Sequence, residues 1–212
     1  MKRFVWIGTL LLIAGLLAGC AGESAPPDLA ALRVQAQQAY EAGDYAKAAG
    51  ALETVVAAAP DDAETHFRLG RAYAALGEWD SAATEFQHVI RLSPQDADAH
   101  SNLGGIYYEQ GRLDDAVKAF RQAVLLEPTD AIFHYNLGAA YAQLNRINEA
   151  EAEFLSAKQF NPDLPETYLG LGAVYAMQGK KEQAREAFER VLALSNDPMV
   201  RAEAEQQLQN LR

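Results

Sequence analysis

The chain has 212 residues, half of them apolar, and a formal net charge of −11 at pH 7. That apolar fraction is enough for a continuous core, and the ordinary content of Gly and Pro predicts that most of the chain is ordered. The acidic balance argues against nucleic acid as a partner and against a large electrostatic contact with anionic lipid, because both require a basic surface.

The first residues have the composition of an export signal. Lys2 and Arg3 make the start basic, and residues 4–17 form an apolar run interrupted only by two glycines and one threonine. As a helix this run would reach roughly 21 Å, which is short of a ~30 Å hydrocarbon core. A basic start followed by a short apolar run is typical of a leader that is removed.

The stretch Leu17-Ala18-Gly19-Cys20 closes this run and resembles the lipobox of bacterial lipoproteins. The resemblance implies cleavage between Gly19 and Cys20, so that residues 1–19 are a lipoprotein signal peptide and Cys20 becomes the acylated N-terminus. Cys20 is the only cysteine, which leaves no partner for an intrachain disulfide. The alternatives are an uncleaved membrane anchor and an ordinary signal peptide that happens to end at this cysteine.

Residues 20–27 are mostly small and include two prolines, which favours a short flexible tether between the lipid and the folded domain. Several acyl chains anchor a protein stably, since each buried methylene contributes ~0.8 kcal/mol. Ala21, rather than Asp, follows Cys20, and the lipoprotein resemblance then implies the periplasmic face of the outer membrane in a two-membrane bacterium. In a one-membrane bacterium it implies the outer face of the plasma membrane.

One stretch recurs four times at a step of 34 residues. The recurring positions are Pro60, Pro94, Pro128 and Pro162; Gly70, Gly104, Gly138 and Gly172; Tyr73, Tyr107, Tyr141 and Tyr175; and Phe86, Phe120, Phe154 and Phe188. A fixed period held by several independent columns is the signature of a helical repeat array. We place the repeats at residues 29–62, 63–96, 97–130, 131–164 and 165–198, followed by residues 199–212.

Each repeat is predicted to form two helices, as residues 97–130 illustrate. Leu103, Ile106 and Tyr107 have the i, i+3, i+4 spacing of one apolar helical face. Gly111 ends that helix, and Asn145 is the one non-glycine in its column. The second apolar face is formed by Leu113, Ala116, Phe120, Ala123 and Val124. The first helices are expected to be capped by Asp28, Asp62, Asp96 and Asp130. Leu164 departs from this column, but Pro165, which starts the fifth repeat, suits a first helical position.

The repeated glycines lie inside the first helix of each pair, where each costs ~1 kcal/mol relative to Ala. Their recurrence in one column indicates the close approach of a neighbouring helix. Small alanines recur in the same way on the second helix, at Ala48, Ala82, Ala116, Ala150 and Ala184. The Tyr and Phe columns are predicted to fill the space between the helices.

These columns resemble the tetratricopeptide repeat, a helix–turn–helix family of 34 residues. The matching runs include Leu69-Gly70-x-x-Tyr73, Ala82-x-x-x-Phe86 and Pro94, with their equivalents in the next two repeats. The resemblance covers residues 29–198 and implies an all-α solenoid of five helix–turn–helix repeats. Residues 199–212 are expected to form a capping helix, with an apolar face of Val200, Ala204, Leu208 and Leu211.

No constellation for catalysis or cofactor binding is recognised. His66, His100 and His134 share one column, but each repeat supplies only one of them and the i+4 positions are glycines, so packing is favoured over a metal site. His88 falls outside that column and is expected at the surface. No nucleophile–base set and no Gly-rich phosphate loop stands out. The chain is therefore predicted to be a non-enzyme without metal or cofactor.

In the resembled family, the first helices line a concave face that holds peptides. Carried onto this chain, the resemblance assigns partner binding to Arg33, Tyr40, Phe67, Arg71, Asn102, Tyr108, Tyr135 and Asn136. Aromatic and Arg side chains are the residue types that anchor interfaces. The alternative is that they pack against neighbouring first helices. One subclass clamps terminal carboxylates with Lys, but those columns hold Phe67, Ser101 and Tyr135, which disfavours that mode.

The hypothesis is a lipid-anchored, monomeric scaffold or adaptor of the cell envelope that binds a protein or peptide in its concave groove. Lipoproteins with similar repeats serve as pilotins for type IV pilus secretins, as outer-membrane assembly factors and as adaptors for peptidoglycan enzymes. The alternative is a structural, self-associating protein that stacks through the ends of its repeat array. The charged final stretch argues against such stacking.

Overall fold

The computed structural model describes residues 27–211. The signal peptide, Gly19, Cys20 and nearly all of the tether lie outside these residues. The described part contains eleven α-helices: α1 Leu29–Glu41, α2 Tyr45–Ala58, α3 Ala63–Ala75, α4 Trp79–Leu92, α5 Ala97–Glu109, α6 Leu113–Leu126, α7 Ala131–Gln143, α8 Ile147–Phe160, α9 Pro165–Met177, α10 Lys181–Leu194 and α11 Pro198–Asn210. No strand occurs between residues 27 and 211.

The helices stack in chain order as a solenoid of five pairs and one final helix, as predicted. Each helix packs on the next one along the chain. The odd-numbered helices of successive repeats also touch, α5 with α7, α7 with α9 and α9 with α11, whereas no even-numbered pair in the described part packs comparably. The odd-numbered helices therefore line the inner, concave side, and the even-numbered helices form the outer side.

Local signals in the sequence set the helix ends. The Asp96 side chain accepts a hydrogen bond from the backbone N–H of Ala99 at 2.8 Å, and the other predicted aspartates cap α1, α3 and α7 in the same way. Gly111 follows α5 with φ of 70°, and Asn145 takes the same left-handed conformation after α7 with φ of 58°. These turns reverse the chain and bring the two helices of each repeat together.

The glycine column receives an aromatic ring from the second helix of the same repeat. A Cβ on Gly104 would lie 2.7 Å from the ring of Phe120, and one on Gly138 would lie 2.8 Å from the ring of Phe154. The predicted close approach is confirmed, and the side chain responsible is the repeated phenylalanine. Gly170 of the next repeat also approaches Phe154, with 2.6 Å between the ring and an added Cβ.

The residues of the histidine column contact the turn that precedes their own helix. The ring Nε2 of His66 lies 2.9 Å from the carbonyl oxygen of Pro60, six residues earlier, and His100 and His134 make the same contact with Pro94 and Pro128. Tyr168, in the same column, donates to the carbonyl of Pro162, also six residues earlier. The column thus ties the starts of α3, α5, α7 and α9 to the preceding turn, and the predicted packing role is confirmed.

His88 is half-buried at the surface of α4, where it was expected, and its Nδ1 contacts Arg91 in an exposed position. Its ring stacks on that of His66 with 4.8 Å between the centroids. His66 also has its Nδ1 2.5 Å from a carboxylate oxygen of Glu85. The aromatic stack covers His66, which is 2% exposed, from the outer side of the solenoid.

The final helix covers the end of the core. Ala204 is fully buried against Phe188 and Val191, and Val200, Leu208 and Leu211 pack around the same cluster. Arg201 adds a hydrogen bond to the Ser195 carbonyl at 3.0 Å. The exposed glutamates of α11 lie on its other face, so the array ends in a polar surface.

Candidate partner-binding site

The concave side carries a groove between α5 and α7. It consists of two adjoining cavities of about 420 Å³ and about 250 Å³, which share Gly105, Glu109 and Asn136 in their lining. We call this surface the central groove and define it by Asn102, Gly105, Tyr108, Glu109, Tyr135 and Asn136. Its rim includes Asp98 and Ile132.

Two tyrosines form the apolar wall of the central groove. Tyr108 and Tyr135 are both half-buried, and the Tyr135 ring lies 5.8 Å from that of Phe154. Burial, together with the charges of Glu166 and Glu203, raises the pKa of Tyr135 above its ordinary value. Tyr135 therefore stays a neutral hydrogen-bond donor with an aromatic face, the combination that anchors interfaces.

Two asparagines add polar groups to the groove. The Asn102 amide donates to the backbone carbonyl of Asp98 at 2.8 Å, and the Asn136 amide donates to the Ser101 hydroxyl at 3.4 Å. Each of these bonds uses one amide hydrogen and leaves a second hydrogen and the amide oxygen. Both side chains therefore have capacity to bond the backbone of an extended peptide.

A separate cavity, the N-terminal pocket, lies on the first two repeats. It has a volume of about 420 Å³ and is lined by Ala36, Gln37, Tyr40, Glu41, Leu52, Arg68 and Arg71. The guanidinium of Arg71 lies 5.0 Å from the centroid of the Tyr40 ring and donates to its hydroxyl at 3.4 Å. The N-terminal pocket shares no lining residue with the central groove.

The structure thus divides the eight predicted partner-binding residues into three sets. Four of them, Asn102, Tyr108, Tyr135 and Asn136, meet in the central groove, and Tyr40 and Arg71 line the N-terminal pocket.

The remaining two line neither cavity. Arg33 pairs with Asp62 at 2.6 Å, and Phe67 packs edge-to-face on Phe86 with 5.6 Å between the centroids. Their main contacts are therefore internal, which matches the alternative of packing between helices.

Gly105 was missed by the sequence reasoning. It stands directly after the repeated Gly104, yet no atom outside its own helical surroundings lies within 4 Å of the position that its Cβ would take. The signal was a glycine inside a helix and outside every repeating column, where Ala would be more stable.

Two general properties of the described region bear on function. Among residues 27–211, no group of three or more His, Cys, Asp and Glu is arranged to hold a metal ion. None of the helices in the same region has the length and apolar composition needed to cross a bilayer.

Comparison with protein families identifies the repeats. A family model described as TPR repeat matches residues 70–111, 104–145 and 138–179, and one described as tetratricopeptide repeat matches residues 165–198. A search of curated protein sequences finds no significant match.

Solved structures share the fold. MamA of Desulfovibrio magneticus RS-1 is 24% identical with a TM-score of 0.73, and the match covers 80% of this chain and 97% of that one. PilF of Pseudomonas aeruginosa is 18% identical with a TM-score of 0.72, covering 86% of this chain and 88% of that one. YrrB, described as a TPR protein with an unusual peptide-binding site, is 16% identical with a TM-score of 0.66, covering 86% and 100%.

Proposed function

Because the chain belongs to the tetratricopeptide repeat family, whose fold is typically a protein-interaction scaffold, we propose that it is a lipid-anchored adaptor of the bacterial cell envelope. It binds a segment of a partner protein in the central groove. The observation that carries this proposal is the meeting of Tyr108, Tyr135, Asn102 and Asn136 around two adjoining cavities on the concave side.

The groove has the chemistry of a peptide site. Half-buried tyrosines supply apolar area at little conformational cost, and the asparagine amides supply groups that bond a peptide backbone. YrrB, which has the same fold, is described as having a peptide-binding site. That description supports peptide binding as the mode of action proposed for this chain.

The anchor rests on the sequence before the repeats. The short apolar run that ends in Leu17-Ala18-Gly19-Cys20 supports export and acylation of Cys20. In a two-membrane bacterium the adaptor faces the periplasm from the outer membrane, and in a one-membrane bacterium it lies on the outer face of the plasma membrane. The adaptor would serve the assembly of pili, of outer-membrane proteins or of the cell wall.

A self-associating structural protein is the second candidate. Leu125 on α6 and Leu155 on α8 are exposed on the outer side, at 72% and 41%. Self-association through the outer side would bury these side chains against a second copy and remove their apolar surface from water.

A co-purification experiment separates the two candidates. Full-length protein is recovered from its native membranes as wild type, as Tyr108→Ala/Tyr135→Ala and as Leu125→Ala/Leu155→Ala, with the fold of each checked by circular dichroism. We expect the tyrosine variant to lose a distinct partner by about tenfold or more, because truncation of an interface anchor costs more than 1 kcal/mol. The leucine variant should retain it.

Two results would contradict the adaptor. The first is equal recovery of the same partner by wild type and by the tyrosine variant. The second is recovery of differently tagged copies of the chain alone, with loss only in the leucine variant, which would establish self-association instead.

A further inference from the structure

We propose that the central groove takes a basic peptide segment, one that carries Lys or Arg side chains between apolar residues. This inference rests on the proposed function, since it names the chemistry of the partner in that groove. It follows from how charge is distributed over the last three repeats and from the shape of the groove floor.

The concave side of these repeats has no Lys or Arg. The helices α5, α7 and α9 carry Asp98, Glu109 and Glu166 instead. In residues 97–198, every Lys and Arg lies on an even-numbered helix or in the turn before one, as do Arg112, Lys158 and Arg190. A groove lined by one sign of charge concentrates the opposite charge and speeds its association.

The groove carboxylates are left without cationic partners. Asp98 and Glu109 are exposed, and neither forms a salt bridge within residues 27–211. Glu166 lies outside the lining of both cavities, but its charge acts on Tyr135 of the groove. Because Asp98 and Glu109 have no internal cation, they are available to an incoming ammonium or guanidinium.

The odd-numbered helices of the first two repeats differ in this respect. On α3, Arg68 pairs with Glu64 at 2.6 Å, and Arg33 of α1 pairs with Asp62 at the same distance. In the last three repeats the paired acids lie on the even-numbered helices or in the turns, such as Asp115 and Glu149, so Asp98 and Glu109 are left for a ligand.

The floor of the groove has room for a peptide backbone. Gly105 costs α5 about 1 kcal/mol relative to Ala, yet no side chain occupies the space beside it. Its neighbour Gly104, by contrast, is required by the ring of Phe120. Gly105 lies in the lining of both cavities, so its missing Cβ lets an extended chain pass close to the helix.

The aromatic walls suit the same ligand. A guanidinium or ammonium placed over the face of Tyr108 or Tyr135 gains a cation–π contact, and the carboxylates at the rim complete its charge neutralisation. The amides of Asn102 and Asn136 bond the ligand backbone between such side chains. An acidic peptide would instead meet like charges at Asp98 and Glu109.

Selection from a random dodecapeptide phage library on full-length protein in detergent tests the inference. We expect the enriched peptides to be rich in Lys and Arg and poor in Asp and Glu relative to the unselected library. The strongest peptide is then synthesised, and its affinity is measured by fluorescence anisotropy.

Two matched pairs of variants locate the binding. Gly105→Leu fills the groove floor, whereas Gly50→Leu changes an equally open glycine on α2 outside the groove. Asp98→Asn/Glu109→Gln removes two groove charges, and Glu182→Gln/Glu189→Gln removes two exposed charges on α10. We expect about tenfold weaker binding for Gly105→Leu and roughly fivefold for the groove charge pair, with both controls within about twofold of wild type.

Each of the other outcomes contradicts a specific part of the proposal. Peptides that lose affinity in Gly105→Leu but show no Lys or Arg enrichment overturn the basic ligand and leave the adaptor function standing. Equal losses in the two charge variants trace the attraction to the net charge of the whole chain and overturn the groove assignment. The absence of enriched peptides, or binding that Gly105→Leu leaves unchanged, overturns the proposed function as well.

Discussion

At the residue scale, the Phe154 ring shows how the repeats are spaced. It lies against Gly138 of its own repeat and Gly170 of the next, and a methyl group on either would come within 2.8 Å of ring atoms. Interiors packed to this density cannot absorb an added carbon without shifting a helix. Glycine at these positions therefore sets the distance between helices.

Substitution of two glycines is predicted to have opposite effects on stability. Gly138→Ala should lower the free energy of unfolding by about 1–3 kcal/mol, because the new methyl overlaps a buried ring. Gly105→Ala should leave it unchanged or raise it by up to about 1 kcal/mol, because alanine favours the helix and meets open space. Urea unfolding followed by circular dichroism measures both, and equal losses would refute the packing argument.

Some residue contacts could be predicted from the sequence and others could not. The recurrence of glycine in the column of Gly138 predicted close packing. Glycine destabilises a helix, so its repetition at one position indicates a requirement shared by all the repeats. Gly105 differs from Gly104 in the sequence only by standing outside the repeated column, and only its three-dimensional neighbours show that the space beside it is open. Arg33 and Phe67 fitted a concave binding column, yet their contacts with Asp62 and Phe86 depend on rotamers that no spacing rule predicts.

At the element scale, one ion pair joins the first repeat to the second. Asp62 caps α3 by accepting from the backbone and hydroxyl of Thr65, and it also accepts from Arg33 of α1 at 2.6 Å. Partial burial alone would raise the pKa of Asp62, but the hydrogen bonds from Thr65 and Arg33 outweigh it and hold that pKa below its usual value. The docking of α1 is therefore linked to the charge of Asp62.

This linkage predicts a pH-dependent stability. A carboxyl group with a lowered pKa in the folded state stabilises the fold above its unfolded pKa of about 3.9, and the contribution is lost as the pH falls through the folded value. Urea unfolding of wild type and Arg33→Met should show a constant difference between about pH 5 and 7, which shrinks as the pH is lowered towards 3. A difference that stays constant or grows at low pH would exclude the linkage.

At this scale, the positions of the helices were the feature that the sequence predicted best. The aspartate caps and the Gly or Asn turns are local, so each acts through residues close in sequence, and the structure places them at the ends of the helices. The relation of α5 to α7, which creates the central groove, depends on packing between residues about 34 positions apart. The groove was therefore predicted as a face but not as two adjoining cavities.

At the scale of the whole molecule, the solenoid carries different surfaces on its two sides. The concave side of the last three repeats is acidic and aromatic, whereas the outer helices carry basic and acidic side chains together.

The first helix begins at Leu29, nine positions after Cys20. An acyl chain on Cys20 would thus hold the array close to a membrane with the N-terminal repeat nearest to it.

The anchor is tested by Cys20→Ala. We expect this variant to leave the membrane fraction or to accumulate as the longer, uncleaved precursor, because the acylated sulfur is missing. Ser24→Ala, in the same tether, serves as the control and should behave as wild type. Cell fractionation with immunoblotting measures both properties, and unchanged membrane association and processing of Cys20→Ala would show that the chain is not anchored through this residue.

Photo-crosslinking from inside the groove tests the central claim most directly. Benzoylphenylalanine replaces Ile132, which is 54% exposed at the rim of the central groove, or Leu125, which is 72% exposed on the outer helix α6. In native cells, irradiation should produce a discrete adduct with a different protein from position 132 and none from position 125. An adduct that contains only this chain, the same adduct from both positions, or no adduct from position 132 would contradict partner binding in the central groove.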